Sequence, residues 1–573
     1  MRQKPPTKPS LQPEATSVQR RCHAAAALTA VVLLMLVGLL STTHVLWSTD
    51  SFTDMNILMA GENFATHGLL NLHLLPVHYI TPKTASPIYY LHYPPLPDLL
   101  NGVLRIIGIN RLAVMRCFCG TLCVVGLVCM YLAFGPVIGP VAAVCGLAFA
   151  GTSGFFLAYA ISLHHAYNVF GVGLFLLLFM RALRGEHPAR GAWAGAWAVL
   201  LFASLTSFEF ILYPQIFAWT YVIGTGQLRR HWRWLLFLGT APVVAVGLHF
   251  LQNCWAVGLS PVLADGFGYG EYQENGRWFW LKQLPDTLLA RSQRSFYWPW
   301  PVLLLVGAVW LVAFERRQPE VEPRRRAGAL VLGVVFASMG WYLFMPRHAV
   351  IHSHCTNQLL PLAFVVMGCT TALIGRWLLQ RSSLTSHRLL AALALLVLVT
   401  GQARTTAWRL GEWKPGVSAV FEAIGPDALP PKAAVLANVG LEADFAYFMR
   451  RPAWRTPRYD RPFPECLLEL RRHLPDDWQL RYYMFFGGPD AEPFKLLAST
   501  CPGRRLVVPQ MKSVWVVLFD VAQLHLPPDQ RAPLPPDQRQ RQLAGQFPPW
   551  ELPGFETRLK QILSRYPGWK SSK

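Results

Sequence analysis

A chain of 573 residues in which 53% are hydrophobic and only 14% charged falls far short of the charged fraction of a soluble globular protein. A formal charge of +21 would suit a nucleic-acid binder, yet no basic stripe with interleaved aromatics occurs, and the basic residues lie between long apolar runs. The composition excludes a soluble enzyme and a nucleic-acid partner, and it points to a membrane.

Residues 1–23 are Pro-rich and basic, which predicts a disordered cytoplasmic tail. The apolar run 24–46 is long enough to span a bilayer. It lacks a small-residue cleavage site, so it is expected to stay as the first helix. Further spans are predicted at 112–134, 137–158, 161–180, 191–207, 209–226, 233–252, 299–314, 327–345, 356–375 and 388–404, eleven in all. The loop arginines support that count. Arg181, Arg184 and Arg190, then Arg229, Arg230 and Arg233, then Arg316, Arg317, Arg324, Arg325 and Arg326, then Arg376, Arg381 and Arg388 all fall on the side of the basic N-terminus. The positive-inside rule makes that side cytoplasmic. A multi-pass inner (plasma) membrane protein is expected, with its C-terminal domain extracytoplasmic.

The opposite side collects the chemistry. The first outer loop, 47–108, carries Asp50, Asp54, Glu62, His67, His73, His78 and His92, with Tyr89, Tyr90 and Tyr93 around the last histidine. Its stretches 54–68 and 95–108 mix apolar and polar residues at helical spacing and are expected to lie along the membrane surface. His164 and His165 follow at the third-to-fourth junction, and Glu209 at the fifth-to-sixth. A second large outer loop, 253–298, holds Asp265, Glu271, Glu274, Lys282, Asp286, Arg291 and Arg294. The turn RHAVIHSHCTNQLLP (347–361) adds Arg347, His348, His352 and His354.

Ionisable groups at a membrane boundary are costly to desolvate and usually mark a site, and their delivery by several spans suggests one outward-facing cavity. Each also has a plainer role: Glu209 snorkelling to water, His164–His165 capping a helix, Arg347 anchoring at the interface. A divalent metal is a candidate at His348, His352 and His354, because i and i+4 share a helical face, although no HExxH pattern accompanies them. Glycine-rich phosphate loops, GxSxG elbows and CxxC pairs are absent, so no other cofactor is implied.

The eleven cysteines are scattered. Cys117, Cys119, Cys123 and Cys129 behave as small apolar residues of the second span. Cys466 and Cys501 lie where an oxidising compartment would permit a disulfide, and spacing does not fix their pairing. From about 406 the composition is that of a soluble domain. Strands are predicted at 433–438, 505–509 and 513–520, with helices at 441–450 and 466–473, giving a small α/β domain. LPPDQR occurs at 526–531 and again at 534–539, which predicts an extended Pro-rich linker over 526–539 before a last amphipathic helix at 554–566. The expected domains are therefore a tail (1–23), a membrane domain (24–405) and an α/β domain (406–573).

An early acid after the first span, then A-x-x-N-F-x-x-x-G (Ala60, Asn63, Phe64, Gly68), then H-Y-P-P-L (His92–Leu96) and an arginine (Arg116) resemble the GT-C class of membrane glycosyltransferases. Within that class the chain is most similar to the branch of protein O-mannosyltransferases and the aminoarabinose transferase that modifies lipid A. Arg347–Pro361 resembles a later outer-loop motif of that branch. The resemblance implies a polytopic α-helical fold of about eleven spans with a C-terminal extracytoplasmic α/β domain. It implies inverting transfer of a sugar from a polyprenyl-phosphate donor to a lipid, glycan or protein acceptor among the membrane lipids.

Asp54 would be the general base. Arg347, Arg291 or Arg294 would stabilise the leaving phosphate. Glu62, His92, Tyr93, His164, His165, Glu209, His348, His352 and His354 are candidate substrate contacts. Relatives often carry adjacent acids in this loop, whereas Asp54 lies between Thr53 and Met55, so Asp50 shares the candidacy. The competing classes are a transporter or lipid flippase, and a non-catalytic family member. No inverted repeat or Gly/Pro-broken helix pair favours transport.

Overall fold

The computed structural model describes residues 13–42, 51–77, 89–184, 189–265, 276–295, 321–379, 399–404, 417–437, 448–449, 453–455, 474, 477–487, 492–508, 515–526 and 528–564. In chain order the first helices are α1 (Pro13–Thr42), α2 (Ser51–His67), α3 (Leu96–Ile106), α4 (Leu112–Ile138) and α5 (Pro140–Gly151). Next come α6 (Gly154–Tyr159), α7 (His165–Ala182), α8 (Arg190–Thr206), α9 (Glu209–Gly224) and α10 (Leu228–Val257). Then follow α11 (Leu259–Asp265), α12 (Gly276–Ser295), α13 (Val321–Phe344), α14 (Pro346–Ile351) and α15 (Leu360–Leu379), with a 3-10 turn at Ser353–Leu359. The C-terminal part holds α16 (Val417–Ile424), α17 (Glu492–Thr500), α18 (Pro536–Leu543) and α19 (Phe555–Ser564). Five strands accompany them: β1 (Ala433–Ala437), β2 (Ala453–Arg455), β3 (Gln479–Gly487), β4 (Gly503–Leu506) and β5 (Trp515–Asp520).

Six helical stretches among the described residues are long and apolar enough to cross a membrane: Ser17–Thr42, Leu112–Ile138, His165–Ala182, Leu228–Val257, Arg325–Phe344 and Ser353–Gly375. The first helix starts at Pro13, so half of the expected tail is helical. The span expected over 137–158 is instead α5 and α6, because the Ser153 side chain accepts from the Phe156 N–H and starts a new helix there. The stretch 253–298 is largely helical where described. The predicted span 299–314, most of 388–404, Asp50, His78, Glu271, Glu274 and Cys466 lie outside the described residues.

The chain divides into two units. The first comprises Met1–Thr42, Leu112–Leu251 and Leu263–Glu412. Its helices pack by backbone approach at glycines. A Cβ at Gly126 (α4) would stand 2.5 Å from the Val169 carbonyl oxygen of α7, and one at Gly173 would collide with the Gly126 carbonyl in return. Gly146 (α5) and Gly368 (α15) make the same mutual contact, with Phe364 and Ala142 as partners. Small residues at crossings are how helices associate where lipid removes the hydrophobic drive. Between these seams Phe134, Phe179, Trp193, Phe217 and Tyr221 interlock, largely edge to face, with centroids about 6 Å apart.

The second unit comprises Thr43–Arg111, Gln252–Val262 and Trp413–Lys573. Its sheet runs β2-β1-β3-β5-β4. The β1 pairings with β2 and β3 are parallel, and those of β5 with β3 and β4 antiparallel. Side chains alternate between two cores. Val435, Met484, Phe486, Val516 and Leu518 join α16 and α19 on one side. Leu436, Tyr483, Phe485, Val517 and Phe519 join Phe494 and Leu497 of α17 on the other.

Helix α2 belongs to this unit: Met59 enters the first core, and Ala60 and Phe64 enter the second. Within the stretch 54–68, Asp54 through Gly61 are all buried. The expected linker is also structured. Its second LPPDQR copy opens α18, whose buried Gln542 donates to the carbonyls of Ala498 and Cys501 at 2.9 Å and accepts from the Gly503 N–H at 2.7 Å. Strand β3 and helix α17 were not predicted, and of the helices expected at 441–450 and 466–473 only Phe448–Met449 falls within the described residues.

The α4–α7 seam is directly testable. Overpacking a tight contact costs about 1–3 kcal/mol or more. Gly173→Leu should lower the detergent-solubilised melting temperature by several degrees, while Gly247→Ala, with nothing within 4 Å of its Cβ, should leave it unchanged. Equal melting temperatures would refute the seam.

Candidate functional site

Two groupings of candidate residues form, one in each unit. In the second unit Asp54 sits in the first turn of α2 and is fully buried. A helix N-terminus favours negative charge there, while burial disfavours it. The motif residues behind it have structural duties. The Asn63 side-chain amide donates to the Val77 carbonyl at 2.8 Å. Phe64 lies against Gly102 of α3, where any Cβ would come within 2.8 Å of its ring. Gly68 ends the helix with φ at +86°.

Glu62 pairs with Arg105 of α3 at 3.3 Å. In the same unit Tyr90 stacks on Tyr93 at 6.3 Å and lies tilted to His92 at 5.4 Å. The turn after α2 holds His73 and Leu74 at positive φ, and the Gln252 amide ties it down by donating to both carbonyls.

In the first unit Glu209, 2% exposed, opens α9. It does not snorkel to water. Its Oε1 lies 2.7 Å from His354 Nε2 and 3.5 Å from His348 Nε2. The His354 ring stacks on His165 at 4.4 Å, and His165 stacks on His164 at 5.0 Å. His352 lies tilted to His348 at 4.4 Å. The histidine turn thus converges on one buried carboxylate.

Three supports hold that turn. The Tyr342 hydroxyl donates to the Cys355 carbonyl at 3.0 Å, the Ser338 hydroxyl donates to the Gln358 carbonyl at 2.7 Å, and the Gln358 amide donates to the Glu209 carbonyl at 3.0 Å. Arg291 of α12 donates to the carbonyls of Ala349, Val350 and His352. Its guanidinium braces the turn. Arg347 lies over the Trp280 ring at 5.6 Å. The Arg294 side chain lies outside the described atoms.

The protonation of His348 follows from geometry. An indole N–H only donates, and Trp341 Nε1 lies 3.3 Å from His348 Nδ1, so Nδ1 accepts and the ring proton sits on Nε2, facing Glu209. Burial lowers the imidazole to about 3, which keeps it neutral. Sequence reasoning missed Trp341 and Cys355. The Cys355 thiol lies 3.3 Å from His348 Nδ1 and 4.0 Å from Glu209 Oε1. Its one signal in the sequence is direct adjacency to His354.

No protein-family model matches the chain, and no curated protein matches it by sequence. Solved structures do. ArnT from Cupriavidus metallidurans in the apo state matches with a TM-score of 0.56 and 16% identity, over 87% of this chain and 98% of that one. ArnT bound to undecaprenyl phosphate gives 0.55 and 17%, over 87% and 99%. The apo oligosaccharyltransferase of Archaeoglobus fulgidus gives 0.50 and 11%, over 87% of this chain and 75% of its own. Spanning helices followed by a strand-bearing C-terminal part, matched along nearly the whole of ArnT, give this chain the GT-C fold in its ArnT-like form.

Proposed function

We propose that this chain is a membrane glycosyltransferase that takes a sugar from a polyprenyl-phosphate carrier and transfers it outside the cytoplasm to a lipid, glycan or protein acceptor. The observation that carries the reading is the likeness over 98% of ArnT, a protein also solved with undecaprenyl phosphate bound. The acceptor hydroxyl attacks the anomeric carbon as the bond to phosphate breaks. One displacement inverts that centre, the polyprenyl phosphate leaves, and the hydroxyl proton passes to a carboxylate.

Asp54 is the proposed base. It is the acid of the α2 first turn, and burial shields its carboxylate from bulk water. Arg347 is the proposed phosphate ligand, since Arg291 is engaged with three backbone carbonyls. The spanning helices lie in the plasma membrane with the N-terminus cytoplasmic, as the loop arginines indicate.

Three outcomes test the proposal. A periplasmic-type reporter fused after residue 573 should be active, and activity of a cytoplasmic reporter alone would reverse the topology. Label from a polyprenyl-phosphate sugar should reach a cell-envelope fraction, and Asp54→Asn should cut that transfer about a hundred- to ten-thousand-fold with insertion unchanged. Asp50→Asn is the control. Loss in that variant alone moves the base to Asp50, and normal transfer in both ends the enzymatic reading. Arg347→Lys keeps the charge but loses the fork, and a charge-assisted hydrogen bond is worth about 1.5–3 kcal/mol. A roughly tenfold or greater fall in kcat/KM for the donor is expected, and wild-type kinetics would remove Arg347 from the phosphate.

A further inference from the structure

We propose that Glu209, His348, His354 and Cys355 bind one zinc ion as a closed, structural site. Each of the four offers a ligand atom, and these atoms all lie within 4.8 Å of one another. A tetrahedral zinc site sets its donors roughly 3.5 Å apart, with N and O about 2.0–2.2 Å and S about 2.3 Å from the metal. The measured separations bracket that spacing. They are 2.7 Å from Glu209 Oε1 to His354 Nε2, 3.3 Å from Cys355 Sγ to His348 Nδ1, and 4.0 Å from Sγ to Oε1. A borderline-soft N, O and S donor set suits zinc and not magnesium or calcium.

Two further observations point the same way. Glu209 Oε2 is buried and has no hydrogen-bond partner among the described residues, so the carboxylate retains an uncommitted acceptor inside the cluster. Charge also balances there. Zinc with one thiolate, one carboxylate and two neutral imidazoles has zero net charge, the least costly state for a site removed from water. On binding, the Cys355 S–H bond breaks, an Sγ–Zn bond forms and the proton leaves to solvent. His348 binds through Nδ1, the nitrogen that faces Sγ, and the Trp341 N–H gives up that lone pair to the metal.

The sequence suggested His348, His352 and His354 as metal ligands. The fold replaces His352 by a carboxylate from another helix and by the thiol that follows His354. With four protein ligands no position is open to substrate, so the ion pins the start of α9 to the turn after α14. The inference does not depend on the glycosyltransferase reading, because the test does not measure sugar transfer.

The test uses the full chain purified in detergent, stripped of metal and titrated with Co(II), then with Zn(II) in competition. The wild type should take up one Co(II) with a thiolate-to-metal charge-transfer band, and Zn(II) should displace it and raise the melting temperature. Cys355→Ala should lose the band. Glu209→Gln and His354→Ala should weaken zinc by more than the ten- to hundredfold typical of losing an outer-shell partner. His352→Ala should retain one ion at nearly wild-type affinity. Absence of stoichiometric cobalt in the wild type, or a band that persists in Cys355→Ala, overturns the site. A metal-free melting temperature for each variant, matched to that of the stripped wild type, separates lost ligation from misfolding.

Discussion

A carboxylate taken out of water must find its compensation inside the protein, and Glu209 imposes that demand on the first unit. At 2% exposure it cannot rely on solvent, so α14 and the turn after it bring His348 and His354 to its oxygen. The stacked rings of His165 and His164 extend the assembly to the start of α7. The backbone is fitted to the same end, since the Glu209 carbonyl itself receives the Gln358 amide. Removing the carboxylate would strand two imidazoles that face it. The steep penalty for leaving one half of a buried polar group unmatched makes this cluster an all-or-none feature.

The second unit applies the same physics to a different end. Helix α2 is held by core contacts of Met59, Ala60 and Phe64 and by the close passage of Gly102, so its first turn has little freedom. Asp54 is therefore carried by a rigid element, as the base proposed above requires. The conspicuous motif residues around it act as scaffolding: Asn63 holds the Val77 carbonyl and Gly68 closes the helix. A motif can mark a site without itself touching the chemistry.

Much of this was legible in the sequence, and the failures have physical causes. Apolar runs revealed the long spans because bilayer thickness sets a minimum length. His165, Glu209, His348 and His354, which the structure brings together, were singled out in the sequence because ionisable groups at a membrane boundary are rarely accidental. Partner choice was not legible. Cys355 entered the cluster through a 3-10 turn whose shape depends on Tyr342 and Ser338, far from it in sequence.

The burial of Asp54 through Gly61 in α2 was not legible, because a mixed composition also fits a helix whose polar residues are buried. LPPDQR shows the limit most clearly. The same six residues make a short 3-10 turn at Pro528–Gln530 and open a helix at Pro536. Pro533 stops the first copy, whereas Gln540–Leu543 let the second continue.

Arg291 gives α12 a mechanical standing. One guanidinium donates to three carbonyls of the histidine turn, so the two elements share a joint with several bonds. Sliding α12 by the length of a single bond must either break the grip together or carry the turn with it. The helix is thus a lever whose load is the ring cluster. A displacement of Gly276–Ser295 would be felt, through that joint, by the histidine turn.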